Sequence, residues 1–262
     1  MKTSDENPCA PQPLLQACMK AGQMLMQHGA ESALVENLTV RLGRALGAEQ
    51  VHVGLTANFL AVTLCARQER VSDLRRLKDR GINMDTVSQV QRIVLKAEKN
   101  KGTQPDAVLR ALETISPSRY PRVLVAVMVG LACGSFARLM GADWGTCFWT
   151  VAAAAIAMGL RLFVARFHFN PLLTFFVTAF AATSIAVLGG RFLPFVKTPG
   201  IAVAASVLLL IPGYPLINTV SDIVKGYVNT GLSRGTMAVL LILSSAMGMF
   251  LALTLMGGDL WK

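Results

Sequence analysis

The sequence predicts a membrane protein in which a small α+β domain, with helices and a short antiparallel sheet, precedes a bundle of five transmembrane helices. Two observations lead to this fold class. The chain is unusually apolar, since 53% of its 262 residues are hydrophobic and its mean hydropathy is +0.50. Its charges also concentrate at one end: residues 1–120 contain 16 Lys or Arg and 12 Asp or Glu, whereas residues 121–262 contain nine and three. This change predicts a boundary near residue 117 between a soluble part and a membrane part.

The first part of the chain begins with a polar stretch, residues 1–12, which predicts a disordered N-terminus without a signal peptide. Residues 13–117 are predicted to form the α+β domain. Its first helix is predicted over residues 12–29, because apolar residues recur there at helical spacing and a His-Gly pair supplies a stop. A second helix is predicted over residues 31–46 by the same periodicity.

Strands are predicted after these two helices. Residues 51–55 and 59–66 are rich in β-branched and apolar residues and are separated by a short polar link, which is typical of a hairpin. A third strand is predicted at residues 71–77. Helices return at residues 85–99 and 105–115, so about 105 residues are expected to share one modest core.

The second part, residues 118–262, contains five hydrophobic segments. Each has about 20 residues, the length that a helix needs to cross ~30 Å of hydrocarbon. The excess of Lys and Arg on one side of these segments places the α+β domain in the cytoplasm. An odd number of spans then puts the C-terminus in the periplasm. The segments cover residues 122–141, 144–166, 171–190, 199–217 and 236–257.

The fourth segment is broken by Pro212, Gly213 and Pro215. Proline and glycine interrupt helices, and interrupted backbone at membrane depth must face protein or water. Residues 216–230 then predict an amphipathic half-helix with one polar face. That face carries Asn218, Asp222, Lys225 and Asn229.

The break has two interpretations. A helix N-terminus at this point would favour an anionic ligand, and transporters use broken spans in this way. The spacing is equally compatible with an interfacial helix whose polar face meets lipid headgroups and whose Asp222 pairs with Lys225 or Arg234. Asp222 is one of three acidic residues after Tyr120, and the other two lie at predicted span ends.

Two arginines inside the predicted spans are further candidates for contact with a substrate, because charge within a helix bundle is costly. Arg138 and Arg161 each lie within two turns of a span end, so snorkelling to the membrane surface is the alternative for both. Glycines four residues apart predict close helix packing: Gly130 with Gly134, and Gly141 with Gly145.

Several classes of protein are disfavoured by the sequence. His28, His52 and His168 are isolated from one another and the five cysteines form no CxxC, so no metal site or other cofactor is predicted. The net charge of +10 is not arranged as a basic stripe with aromatic residues, so nucleic acid is not a predicted partner. No nucleophile–base pair or phosphate loop supports an enzyme. A regulatory or assembly role for the α+β domain stays open.

The segment around the break resembles the signature of the bacterial threonine/serine exporter family. The motif is P-G-x-P-x-I-N-x-x-x-D-x-x-x-G followed by G-x-x-R-G, and an N-terminal block, AGQMLMQHGAESALVENLTVRLGRALG, is also similar. Between them the two blocks span most of the chain. The motif residues are Pro212, Gly213, Pro215, Ile217, Asn218, Asp222, Gly226, Gly231, Arg234 and Gly235.

The resemblance implies a protein that exports small carboxylates across the bacterial inner membrane. A succinate-type dicarboxylate is the favoured substrate and threonine or serine is the alternative. The resemblance also implies the larger subunit of a two-protein form, whose partner is a smaller, all-membrane subunit, in a homo- or hetero-oligomer within the lipid bilayer. The candidate residues for the path of substrate or ion are Pro212, Gly213, Pro215, Asn218, Asp222, Lys225, Arg234, Arg138 and Arg161.

Overall fold

The structure, a computed structural model, describes residues 11–77, 81–100, 102–167 and 169–256. These residues form two compact units. The first unit contains the chain up to Ser118 together with Tyr214–Gly235, and the second contains Arg119–Gly213 together with the chain from Thr236 onwards. The segment that follows the proline break therefore belongs to the unit of the α+β domain, although most of the membrane-type helices lie between them in sequence.

The first unit begins with a pair of helices, α1 (Pro11–Gln27) and α2 (Ser32–Ala45). Most of the stretch predicted to be disordered, residues 1–12, lies outside the described residues, and its last two residues already belong to α1. The chain turns between the helices at Gly29, whose φ of +89° is a left-handed conformation that glycine adopts without strain. We call residues 28–32 the α1–α2 turn.

A three-stranded antiparallel sheet follows, in the order β1-β2-β3, and it confirms the third strand. This strand starts earlier than predicted because Arg67 and Gln68 both have positive φ, 55° and 62°, and form a two-residue turn. Such turns usually contain Asn or Gly, so the sequence carries no signal for this one. The strands are β1 (Gln50–Leu55), β2 (Phe59–Ala66) and β3 (Glu69–Arg76).

Two further helices, α3 (Met84–Lys99) and α4 (Pro105–Glu113), confirm the predictions for residues 85–99 and 105–115. Asn83 caps α3, since its side chain accepts a hydrogen bond from the Thr86 N–H. One buried core joins these helices to α1, α2 and one face of the sheet. Its largest fully buried side chains include Leu14, Leu25, Leu38, Leu42, Leu60, Leu64, Val90 and Leu112.

Among the remaining helices of the described residues, four are long and apolar enough to cross a membrane. These are α5, α6 with a short 3-10 extension to Phe167, α7 and α10. Helix α8 with its own 3-10 turn and α9 form a bent pair that makes a fifth candidate if the two are one broken span. The helices are α5 (Arg122–Leu139), α6 (Trp144–Val164), α7 (Pro171–Phe192), α8 (Pro199–Val207), α9 (Gly213–Val224) and α10 (Val228–Met256).

The structure differs from the prediction for residues 216–230, which are two helices and not one. Gly226 has a φ of +89°, and the Tyr227 N–H donates to the Asp222 carbonyl oxygen over 2.8 Å. These are the features of a helix C-terminus that ends on a left-handed glycine. Asn229 therefore lies on α10 and does not share the face of α9 on which Asp222 lies. Periodicity alone does not reveal this end, because the polar spacing happens to continue beyond it.

Close packing of α5 on α6 confirms one of the two predicted glycine pairs. A Cβ atom at Gly130 would lie 2.6 Å from the Val151 carbonyl oxygen, and one at Gly134 would overlap the Val151 side chain. In the second pair only Gly145 packs closely, since a Cβ atom there would overlap the Phe195 carbonyl oxygen. Gly141 has a φ of +91°, and a Cβ atom added to it would meet nothing within 4 Å, so this glycine serves the turn before α6.

We expect Gly134→Val to destabilise the second unit by about 1–3 kcal/mol, the usual cost of forcing extra atoms into a packed interface. Gly159→Val is a matched control on α6, because a Cβ atom at Gly159 meets nothing within 4 Å. The measurement is the midpoint of thermal unfolding of the purified full chain in detergent. Equal midpoints for the two variants would contradict the packing role of Gly134.

Candidate functional site

Helix α9 turns its polar face towards the α+β domain of the first unit and leaves its apolar face exposed. Asn218 and Asp222 are buried, whereas Ile217, Val220 and Val224 are exposed, Val224 to 80%. This is the reverse of an amphipathic helix on a soluble protein. Polar groups that lose water on burial must find hydrogen bonds inside the protein, and those bonds define the candidate site.

The Asp222 carboxylate is fully buried, with 0% of its side chain exposed. One oxygen, Oδ1, accepts a hydrogen bond from the Ser32 N–H over 2.8 Å. The other, Oδ2, accepts one from Arg234 Nη1 over 2.7 Å, and the Arg234 side chain is only 16% exposed. A buried acid is thus neutralised by a largely buried guanidinium, the arrangement that makes burial of charge tolerable.

Asp222 also completes helix α2. Ser32 is the first residue of this helix, where backbone N–H groups have no partner within the helix, and Glu31 before it makes no side-chain capping bond. The capping oxygen comes instead from a residue 190 positions later in the chain. A carboxylate at this place is favoured by the helix dipole as well as by the hydrogen bond.

Two neighbouring side chains bind the carbonyl groups of the same turn. Arg234 Nη2 donates to the Ala30 carbonyl oxygen over 3.1 Å, and Asn218 Nδ2 donates to the Gly29 carbonyl oxygen over 2.8 Å. We call Asp222, Asn218 and Arg234, with the backbone of residues 29–32, the Asp222 cluster. The cluster satisfies two carbonyl oxygens and one N–H of the α1–α2 turn with side chains of α9 and α10.

A second set of contacts surrounds the cluster at the protein surface. Lys225 Nζ donates to Glu31 Oε1 over 2.6 Å, and Ser221 Oγ donates to Glu31 Oε2 over 2.7 Å. These two bonds lower the pKa of Glu31 below its usual value. The stabilisation they give is therefore present at neutral pH and is lost as the pH falls through this lowered pKa. Because both charged side chains are partly exposed, the ion pair contributes less than about 1 kcal/mol.

Tyr227, in the link between α9 and α10, makes a further contact with α2. Its hydroxyl donates a hydrogen bond to the Glu36 carboxylate. Burial, and then this bond to an acidic group, raise the pKa of Tyr227 to about 12. Tyr227 therefore stays protonated and able to donate throughout the physiological pH range.

The predicted site residues of the motif lie in or directly before the first unit, and the two predicted arginines lie in the second unit. Asn218, Asp222 and Arg234 come together directly, and Lys225 joins them through Glu31. Of the two partners considered for Asp222, the structure has Arg234. Pro212, Gly213 and Pro215 lie at the start of α9, where Gly213 is its first residue.

Arg138 and Arg161 have separate surroundings in the second unit. Arg138 donates to the Ala142 carbonyl oxygen over 2.7 Å and lies 4.8 Å from the centre of the Trp144 ring, so it holds the end of α5. The Arg161 guanidinium lies 4.4 Å from the centre of the Phe175 ring. Within the described part of the chain it has no ion pair with an acidic side chain.

The residues that form hydrogen bonds with the motif side chains were not identified from the sequence. Gly29, Ala30 and Ser32 contribute backbone atoms, and backbone atoms leave no mark on residue type. Nothing in the sequence distinguished Glu31 and Glu36 from other charged residues of a predicted helix. The only available signal was their position inside the N-terminal block that resembles the exporter family, which assigned no role to any of them.

In the described residues, four helices are long and apolar enough to cross a membrane, or five if the bent pair is one span, and a buried charge cluster follows the proline break. These features are typical of a membrane transporter. The sequence profile described as "Putative threonine/serine exporter" matches residues 16–256, so the chain belongs to the threonine/serine exporter family. This membership confirms the predicted family and the prediction that the chain is a transporter and not an enzyme.

Individual relatives are similar along most of the chain. The "Probable succinate transporter subunit YjjP" of Escherichia coli K12 is 44% identical over 93% of this chain and 95% of its own length. The protein of the same name from Klebsiella aerogenes is 43% identical over 93% and 94%. A "Probable threonine/serine exporter" of Mycobacterium tuberculosis is 25% identical over 92% of this chain and 46% of its own length. No solved structure matches.

We expect Asp222→Asn to destabilise the first unit by about 3–5 kcal/mol, because it leaves the Arg234 charge largely buried without compensation. The double variant Asp222→Asn/Arg234→Gln removes both charges and should cost less than the sum of the single variants, by about 1–3 kcal/mol. Thermal or chemical unfolding of the purified full chain measures this cycle.

The matched control for this cycle is Glu98→Gln, which breaks the partly exposed Arg41–Glu98 pair of the same unit. It should cost less than about 1 kcal/mol. Strict additivity of the Asp222 and Arg234 substitutions would show that the two side chains are not coupled.

Proposed function

We propose that the chain is the larger subunit of a bacterial inner-membrane exporter of small carboxylates, with a succinate-type dicarboxylate as substrate. The observation that carries this proposal is the 44% identity, over 93% of the chain, to a protein named as a probable succinate transporter subunit. The chemistry of the Asp222 cluster supports it. A guanidinium and a helix N-terminus, brought together beside a broken span, are groups that bind carboxylates.

The second candidate is export of threonine or serine, which the family description and the mycobacterial relative favour. An amino acid carries an ammonium group, which needs an acidic or carbonyl partner within the site. Both Asp222 oxygens already accept hydrogen bonds from Ser32 and Arg234. While these bonds persist, the cluster offers an ammonium group no free carboxylate.

For the topology, we propose five spans, with the α+β domain of residues 13–117 in the cytoplasm and the C-terminus in the periplasm. In residues 118–262, α8 and α9 would together be the fourth span. Pro199–Leu210 alone rises about 18 Å, too little for ~30 Å of hydrocarbon, whereas the added length of α9 makes up the difference. The excess of Lys and Arg on the inner flanks supports the orientation.

For the assembly, we propose a smaller membrane subunit as partner, within a homo- or hetero-oligomer. Two relatives that cover nearly the whole chain are named as subunits. The exporter from Mycobacterium tuberculosis aligns with this chain over only 46% of its length, which supports a second set of helices in the complete transporter. The exposed apolar face of α9 is suited to contact with either lipid or such helices.

For the path of the substrate, we propose the start of α9 at Pro212, Gly213 and Pro215, followed by the Asp222 cluster with Lys225. Arg161, in the second unit, is proposed separately as a cation that contacts a carboxylate, since its guanidinium has a ring contact but no acidic partner in the described residues. We propose that Arg138 is a structural residue, because it is engaged by Ala142 and Trp144.

Transport in vesicles tests the function directly. Vesicles that contain this chain and the smaller subunit should release labelled succinate several-fold faster than vesicles with either protein alone, because a half-transporter leaves broken backbone without cover. Labelled threonine and serine are assayed in parallel. Release of these amino acids in place of succinate would establish the alternative, and equal rates with this chain alone would refute the two-subunit proposal.

Cysteine labelling tests the topology. In a background without native cysteines, Lys262→Cys should react with a membrane-impermeant maleimide in intact cells, whereas Ser118→Cys should react only after permeabilisation. The physical reason is that an odd number of spans places the two positions on opposite sides. Equal protection of both positions would contradict the five-span proposal.

A further inference from the structure

The Asp222 carboxylate occupies a place that has the components of an anion-binding site. A backbone N–H at the first turn of α2 and a guanidinium group approach it over 2.8 and 2.7 Å, and no part of the carboxylate is exposed. A helix N-terminus combined with an arginine is a common way to bind a free carboxylate. Here the carboxylate belongs to the chain itself.

The walls of this site are held by bonds in which Asp222 takes no part. Arg234, on α10, is also bonded to the Ala30 carbonyl oxygen. The Ser32 N–H belongs to α2, so neither donor is carried by α9. The α1–α2 turn is fixed in turn by the fully buried Leu25 and Val35 in the helices on either side. The donors would therefore stay close to their places without the Asp222 carboxylate, and the vacated space would have the size of one carboxylate group.

The helix that supplies Asp222 is held less firmly than the site that receives it. Helix α9 is 12 residues long, lies between a proline break and the left-handed Gly226, and exposes most of its apolar residues. Within the first unit the described contacts of α9 and the adjacent Lys225 with the α+β domain are mainly hydrogen bonds, one of them to the buried Asp222, and one partly exposed ion pair. Segments with few buried apolar contacts are those that separate most readily.

We propose that the Asp222 cluster is a binding site for a free carboxylate, and that the Asp222 side chain occupies this site in the structure. A small carboxylate anion displaces Asp222 and releases α9 from the α1–α2 turn. The choice of a carboxylate rests on the proposed function. Binding of the exported anion and movement of the motif helix are then a single event. The α+β domain, whose task the sequence left open, supplies half of this binding site.

Chemical rescue tests the site itself. Asp222→Ala removes one carboxylate group, whose closest free equivalent is formate. Formate should raise the unfolding temperature of the full-length variant in a saturable way, towards that of the unaltered protein, whereas chloride at equal ionic strength should not. Asp222→Ala/Arg234→Gln lacks the guanidinium and should gain nothing, and Glu98→Ala, away from the cluster, is the matched control. Formate and chloride with equal effect would overturn the site.

Displacement is tested in a chain that keeps Asp222. Spin labels at Val224→Cys on α9 and Arg44→Cys on α2, both at exposed positions, report the separation of the two helices in a background without native cysteines. Succinate should shift the distance distribution to longer values, and chloride should leave it unchanged. This measurement does not depend on the folding of the Asp222→Ala variant.

The two proposals fail in different ways. If succinate is exported by the two-subunit vesicles while the spin-label distance stays constant, displacement of Asp222 is wrong and the exporter proposal stands. If formate rescues Asp222→Ala and succinate moves α9 but vesicles do not export succinate, the binding site stands and the proposed function falls.

Discussion

The attachment of α9 and α10 to the α1–α2 turn depends on one buried ion pair that is shared among three helices. Asp222 comes from α9, Arg234 from α10, and the N–H and carbonyl groups that they bind come from the turn before α2. Removing either charge leaves the other without compensation in a place with little water, so neither residue can change independently. The pair also explains why α10 starts within the first unit: Arg234 must be presented from its second turn to reach both Asp222 and Ala30.

The same constraint explains the unusual orientation of α9. A helix next to a membrane normally turns its apolar face to lipid and its polar face to water, and the exposed apolar face of α9 is compatible with the first of these conditions. Its polar face, however, contacts backbone and not water. Backbone atoms demand partners that match in number and direction, because a carbonyl oxygen or N–H that is buried without a hydrogen bond costs about 1–3 kcal/mol. An interface of this kind has few alternative arrangements, so it specifies where α9 binds.

Much of the fold and part of the site could be predicted from sequence. The helices follow from apolar periodicity, the strands from runs of β-branched and apolar residues, and the break from two prolines and a glycine. Asp222 was identified because acidic residues are rare in the second part of the chain. The receiving half of the cluster could not be predicted, since it consists of backbone atoms in a turn 190 residues away. The end of α9 was missed for a different reason. Gly226 ends the helix in a left-handed conformation, as glycine commonly does, but the polar spacing that predicted one helix continues past it.

The length of α10 has a structural consequence. This helix has 29 residues, about 43 Å, and it is uninterrupted from Val228 to Met256. Its first two turns carry Arg234 and belong to the first unit, while the rest belongs to the second. α10 contains no proline, the residue that most often interrupts a helix. One continuous helix therefore carries both the arginine of a buried ion pair and the apolar turns of a candidate membrane span, so a proline introduced between them would disturb both units at once.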